Sequence, residues 1–195
     1  GNLAAFFQDD VRRLLAYSTI SQVGYLLMAV AAANRAVLAL PALGLYLAAY
    51  AVTNLGAFAV VAALPRARTL GDYRGMATRH RWLALSLGIC LLGLIGTPPT
   101  AVFVGKLTVF TAAVDADLAW LAVIAVLNTM ASVFYYLRWI APVFRSRDTD
   151  ATAEAPAVDV LSSTGRWATI SAHTAAAVSL VLGLVAGPVL AGLGT

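Results

Sequence analysis

The side chain best placed for chemistry is Lys106, in residues 97–110, TPPTAVFVGKLTVF. The chain holds 13 Lys plus Arg, and 12 of these are Arg, so Lys106 is its one lysine. It stands inside a long apolar run, with about eight residues between it and Asp115, roughly 12 Å along a helix. A charged lysine at membrane depth costs at least about 2.5–3.5 kcal/mol on insertion scales. The plain reading is a lysine that snorkels to the interface, but that distance makes snorkelling hard. The functional reading is a proton site: arginine stays charged at any useful pH, whereas lysine can let its proton go. A chain that uses arginine everywhere else fits the second reading.

Other polar side chains cluster inside apolar segments. AYSTISQVGY carries Tyr17, Ser18, Thr19, Ser21 and Gln22, which suit either a hydrated path or hydrogen bonding between helices. Further on, Tyr46, Tyr50 and Thr53 share one helical face, with Asn54 four residues after Tyr50. Later still, Asn128, Ser132 and Tyr135 share another, beside Thr129 and Tyr136. Interhelical packing is the plainer reading for both sets, and lining a water path is the alternative. His173 reads as a hydrogen-bonded packing residue rather than a proton relay, and His80, in TRHRW, as exposed at the interface. Cys90 has no partner for a disulfide or a metal and reads as a packing residue. No phosphate loop, CxxC pair, HExxH or nucleophile elbow occurs. An enzyme acting alone on a small substrate is therefore not expected, nor is a cofactor or metal in this chain.

The elements that position these residues follow from composition. Of 195 residues, 61% are hydrophobic and 11% charged, and mean hydropathy is +0.84. Soluble domains carry about 25% charged residues, so the chain reads as an all-α integral membrane protein. Continuous runs rich in Ala and Leu argue against a barrel, whose strands would alternate. A spanning helix needs about 20 apolar residues. Helices are accordingly expected at 14–34, 41–64, 82–114, 118–141 and 166–193, after a preceding helix end and loop at 1–13. The third is too long for one span. Gly96, Pro98 and Pro99 cannot continue regular helical hydrogen bonding, so it is expected to break there. Broken helices at membrane depth are a recurring device of transporters.

Eleven of the 12 arginines (Arg12, Arg13, Arg66, Arg68, Arg74, Arg79, Arg81, Arg138, Arg145, Arg147 and Arg166) fall at one end of these spans, in 1–13, in 65–81 or around 142–165. Arg35, Asp115 and Asp117 fall at the other. The positive-inside rule places the arginine-rich end in the cytoplasm and the C-terminus outside. The net charge of +4 thus reads as topology, not nucleic-acid binding. The segment 142–165, rich in Asp, Thr, Ala, Pro and Ser, reads as a flexible cytoplasmic loop. The chain opens on Gly1 rather than Met and is expected to be a piece of a longer protein.

Several stretches resemble a known family. DDVRRLLAYSTISQVGYLLMAV resembles the signature QTDIKRLLAYSSISHxGY of the antiporter-like membrane subunits of respiratory complex I and of Mrp-type cation/proton antiporters. YLAAYAVTNLGAFAVV, LGDYRGMATRHRWLA, LIGTPPTAVFVGKLTVF and AWLAVIAVLNTMASVFYYLRW follow in family order, as far as about Val143. The resemblance implies the last five of fourteen helices, with the family's other proton-site residues on helices absent here. Lys106 matches the lysine of the broken helix, the proton site. Tyr17, Ser18, Ser21, Gln22, Asn128, Ser132 and Tyr135 become candidates for the water path leading to it. Where many relatives have His, this chain has Gln22, which cannot titrate. Where some paralogues have His-x-x-x-Lys on the second of these helices, it has Thr53-Asn54, which favours the N-type subunits of NADH-quinone oxidoreductase.

The function implied is proton translocation in the bacterial plasma membrane, through a half-channel centred on Lys106. Other membrane-arm subunits, the lipid bilayer and protons would be its partners. NADH, FMN, iron-sulfur clusters and quinone would belong to partner subunits. Alternatives are a Mrp-type antiporter or membrane-bound hydrogenase subunit, and a non-conducting structural piece of the membrane arm.

Overall fold

A computed structural model describes residues 1–145 and a final helix at 163–193, and every described element is helical apart from one isolated bridge between Asp10 and Thr69. The helices are α1 (Asn2–Phe6), α2 (Val11–Ala32), α3 (Ala39–Ala63), α4 (Met76–Arg79), α5 (Arg81–Ile95), α6 (Ala101–Asp115), α7 (Ala119–Phe144) and α8 (Ser163–Leu193). Four of them, α2, α3, α7 and α8, are long and apolar enough to cross a membrane, and α5 is a shorter apolar helix. The half-helices α5 and α6 together replace the fifth span. Most of the segment expected as a flexible loop, 146–162, lies outside the described residues.

Boundaries follow local chemistry. The α2 helix starts three residues before the uncharged run because the Asp10 carboxylate accepts from the N–H groups of Arg12 and Arg13, at 2.9 and 3.1 Å. That satisfies two of the donors a helix N-terminus leaves free. At its far end α7 runs past the expected boundary at 141, through Pro142, and continues to Phe144. The loop at 65–81 is not plain coil. It folds into a 3₁₀ turn (Leu70–Tyr73) and α4, and the Asp72 carboxylate accepts from the N–H groups of Arg68 and Thr69.

The expected break is present. Helix α5 ends at Gly96, which has φ +88°, a left-handed conformation that favours glycine. Pro98 and Pro99 follow, and Thr100 precedes the start of α6. The central helix is α3, packed against α2, α5, α6 and α8. It carries the side chains that bind the others together, such as Thr53, whose hydroxyl pairs with Ser179 of α8 at 2.8 Å. The helix α8 comes so close to the break that a Cβ at Gly183 would stand 1.9 Å from the Pro99 carbonyl oxygen. Small residues at such contacts let backbones approach, which is how helices associate where water supplies no driving force.

Candidate functional site

Lys106 is 3% exposed. Its carbon stem passes the broken segment, where a Cβ on Gly96 would come within 3.0 Å of Lys106 Cδ. The Nζ donates to the carbonyl oxygens of Ile95 at 2.9 Å and Leu94 at 3.3 Å. These are the carbonyls that the end of α5 leaves without helical partners. The turn at Gly96 and Thr97 engages only the carbonyls of Leu92 and Gly93. The lysine thus caps the negative end of one half-helix from the flank of the other. The Tyr25 ring lies beneath the Nζ, 4.9 Å from its centroid, a cation–π contact. Among the described residues, no carboxylate pairs with Lys106. The single ion pair among the described residues is Arg138–Asp9 at 2.9 Å, at the exposed arginine-rich end.

Gln22 links the lysine to its neighbours. Its Nε2 donates to the Leu94 carbonyl at 3.4 Å, and its Oε1 accepts from the Tyr46 hydroxyl. Tyr46 stacks on Tyr50, with centroids 6.3 Å apart, and the Tyr50 hydroxyl donates to Thr19 at 2.8 Å. On the α7 side, the Tyr25 hydroxyl meets Thr129 at 2.7 Å and accepts from Asn128 at 2.9 Å. Asn128 also donates to Ser21 at 2.9 Å. A pocket of about 300 Å³ opens between α1, α2 and α7, and Asn2, Ser21, Tyr25 and Asn128 supply its polar lining.

The sequence-predicted residues therefore divide. Ser21, Gln22 and Asn128 join the arrangement around Lys106. Ser18 bonds instead to the hydroxyl of Tyr136, with the Tyr135 ring 4.5 Å from that of Tyr136. The Ser132 hydroxyl donates within α7, to the Thr129 carbonyl at 2.6 Å. Tyr17 is half-buried against the apolar core. His173 takes a local role, with Nδ1 2.7 Å from the Ser86 hydroxyl, and His80 is half-buried at the start of α5. No group of His, Cys, Asp or Glu among the described residues could hold a metal ion.

Tyr25 was not among the residues singled out from the sequence. Its spacing was the available signal: it stands three residues after Gln22 and four after Ser21, on the face that carries both. What the arrangement can do is hold one cation at a helix break by partial charges, within a hydrogen-bonded set of amides and hydroxyls able to pass protons or orient water.

Comparison with known proteins bears on the family and the fold. Residues 1–132 match a family described as NADH:quinone oxidoreductase/Mrp antiporter, transmembrane. NADH-quinone oxidoreductase subunit N 1 of Streptomyces griseus is 59% identical over 194 residues, 100% of this chain and 40% of that protein. Subunit N of a Mycobacterium species is 53% identical over 189 residues, 97% of this chain and 39% of that protein. The chain thus spans about two fifths of the length of these curated relatives. A chain of respiratory complex I from Thermus thermophilus superposes with a TM-score of 0.78 at 33% identity, over 97% of this chain and 41% of that one. A chain of the Mrp complex from Dietzia superposes with a TM-score of 0.81 over 97% of this chain and 42% of that one, and at 23% identity it speaks for the fold alone.

Proposed function

The chain belongs to the NADH:quinone oxidoreductase/Mrp antiporter transmembrane family, and from that premise we propose that it forms the last five membrane helices of a proton-translocating subunit of the NADH-quinone oxidoreductase membrane arm. It works beside other membrane-arm subunits in a bacterial inner membrane, with its arginine-rich end in the cytoplasm. The redox groups and the quinone belong to those partners. Lys106 is the proton-carrying group, and Gln22, Tyr25 and Tyr46 are the residues that position it.

One observation carries the reading. The protein's only lysine is buried at the break of a membrane helix and held by two backbone carbonyls rather than by a carboxylate. Partial charges stabilise a cation without fixing it as a full countercharge would. In a medium of low dielectric, a charge arriving nearby then acts on it strongly. Such a site can take up and release a proton as its surroundings change.

The test is Lys106→Ala in the full-length subunit within the assembled complex, with proton pumping and NADH oxidation followed in inverted membrane vesicles. Pumping is expected to fall further than complex assembly does. Unchanged pumping with intact assembly refutes the role of Lys106. Sodium flux that depends on Lys106 would favour an antiporter instead, and intact pumping in every variant of the site would leave a structural role.

A further inference from the structure

A cavity separate from the Lys106 site lies at the arginine-rich end of the bundle. It holds about 330 Å³ between the corner that joins α4 to α5 and the early turns of α8. Arg79, His80, Arg81 and Trp82 form one wall, and Thr169 and His173 form the other. The Nδ1 of His173 meets the Ser86 hydroxyl of α5 at 2.7 Å, which ties the two walls together. The 15 residues of α5, about 22 Å of helix, separate this cavity from the break.

Its charge is of one sign. Arg79 and Arg81 are exposed, and among the described residues no Asp or Glu lines the cavity or pairs with either. Arg79 donates to the Arg74 carbonyl at 3.1 Å, a neutral partner. The Arg81 guanidinium lies over the Trp82 ring, 5.0 Å from its centroid, which leaves its N–H groups for an acceptor from outside. Helix α5 begins here with no capping side chain and no acid in its first turn, so its positive end adds to the two charges.

The surroundings fix the depth. Apolar sequence begins at Trp82 on α5 and at Trp167 on α8, and both rings are exposed, at 63% and 72%. Tryptophan with one apolar and one wet side belongs at the headgroup level of a bilayer. Farther along α5, Leu85 and Leu92 fall on the same helix face as Arg81, and both are exposed. The basic cavity therefore stands at the head of an apolar track.

We infer that this cavity binds an anionic phospholipid of the leaflet at the arginine-rich end, with the headgroup phosphate on Arg79 and Arg81 and an acyl chain along Leu85 and Leu92. Two unpaired arginines and a helix end call for an anion, and the leucine face calls for hydrocarbon. An anionic phospholipid joins the two in one molecule. A zwitterionic lipid brings its own cation to the arginines and so gains less from them. The site stands apart from the proposed role of Lys106 and does not depend on it.

The test uses the full-length subunit within the purified complex, reconstituted in lipid nanodiscs. Phosphatidylglycerol and phosphatidylcholine bearing the same photoreactive acyl chain are each supplied at equal mole fraction. Labelled peptides of the assembled complex are then mapped by mass spectrometry. Labelling of the peptide that holds Leu85 and Leu92 is expected to favour phosphatidylglycerol by about fivefold or more, the attraction of one basic side chain to an anionic lipid surface. Arg81→Gln should lower that preference, and Arg79→Gln with Arg81→Gln should abolish it. Arg66→Gln with Arg68→Gln, in the same loop but outside the cavity, should leave it intact. Equal labelling by the two lipids, or a preference that survives the loss of Arg79 and Arg81, overturns the site. A preference that emerges only with Asp148→Asn, Asp150→Asn, Glu154→Gln and Asp159→Asn in place overturns it as well, because carboxylates of this chain would then be the occupants.

Discussion

Lys106 is held by an assembly of weak partners, each of which can be removed singly. Two carbonyls, the end of a half-helix and one aromatic face together stabilise the ammonium, each through partial charge. Arginine is not a substitute. Its guanidinium is planar and larger, and it keeps its proton, so Lys106→Arg should preserve a positive charge without restoring pumping. Pumping comparable to wild type in that variant would show that charge alone suffices. Gln22 is the residue whose loss should reach furthest into the network, because it serves the Tyr46 hydroxyl and the Leu94 carbonyl at once. Gln22→Leu keeps the volume but leaves the Tyr46 phenol buried without its partner. The expected cost is about 1–3 kcal/mol, read as a lowered unfolding midpoint of the purified protein.

Among the elements, the break between α5 and α6 makes the site possible, and two glycines hold it. Gly96 has φ +88°, so Gly96→Ala should cost about 1–2 kcal/mol from backbone strain alone. The added Cβ would also press on the Lys106 stem at 3.0 Å. Gly183→Ala should do more damage: a Cβ 1.9 Å from the Pro99 oxygen requires the backbone of α8 or of the break to move. The check is the yield of assembled subunit for each variant, with Gly183→Ala the lower. The loop at 65–81 carries a different dependence. Burial pushes the Asp72 carboxyl up, but the N–H groups of Thr69 and Arg68 outweigh it and hold the carboxyl below the usual range. A carboxyl depressed in the folded state stabilises above its ordinary pKa, and that contribution is lost as pH falls through the folded value. The melting temperature of Asp72→Asn should lie below that of the wild type at neutral pH, and the gap should close below about pH 4. The break itself was legible because proline lacks an N–H and glycine tolerates φ > 0, both properties of single residues. The partners of Lys106 were not. They are backbone carbonyls on α5 and a ring on α2, and no side-chain pattern announces a carbonyl. Nor did the sequence separate Ser18 from Ser21, since their different partners depend on how α7 is rotated against α2.

At the scale of the whole molecule, the charge pattern divides the bundle into two unlike ends. Ten arginines among the described residues stand at the end that holds the loop at 65–81, while the opposite end holds Arg35 and a layer of buried alanines that includes Ala32, Ala39 and Ala112. The arginine count was readable without coordinates, because hydropathy sets the spans and the spans sort the loops. The contact of Tyr73 with Trp139 was not, because the two lie far apart in sequence and meet only through the turn at 70–73 packing on α7. If the arginine-rich end faces the cytoplasm, a protease should find it from one side only. Arg66, Arg68, Arg74 and Arg79 are all exposed, and so is Arg35 at the other end. Trypsin added to inside-out vesicles of cells making the full-length subunit should cut within 65–81 and spare Arg35. Right-side-out vesicles should show the converse, with Arg35 the accessible arginine. Cutting within 65–81 from the outer face would invert the orientation.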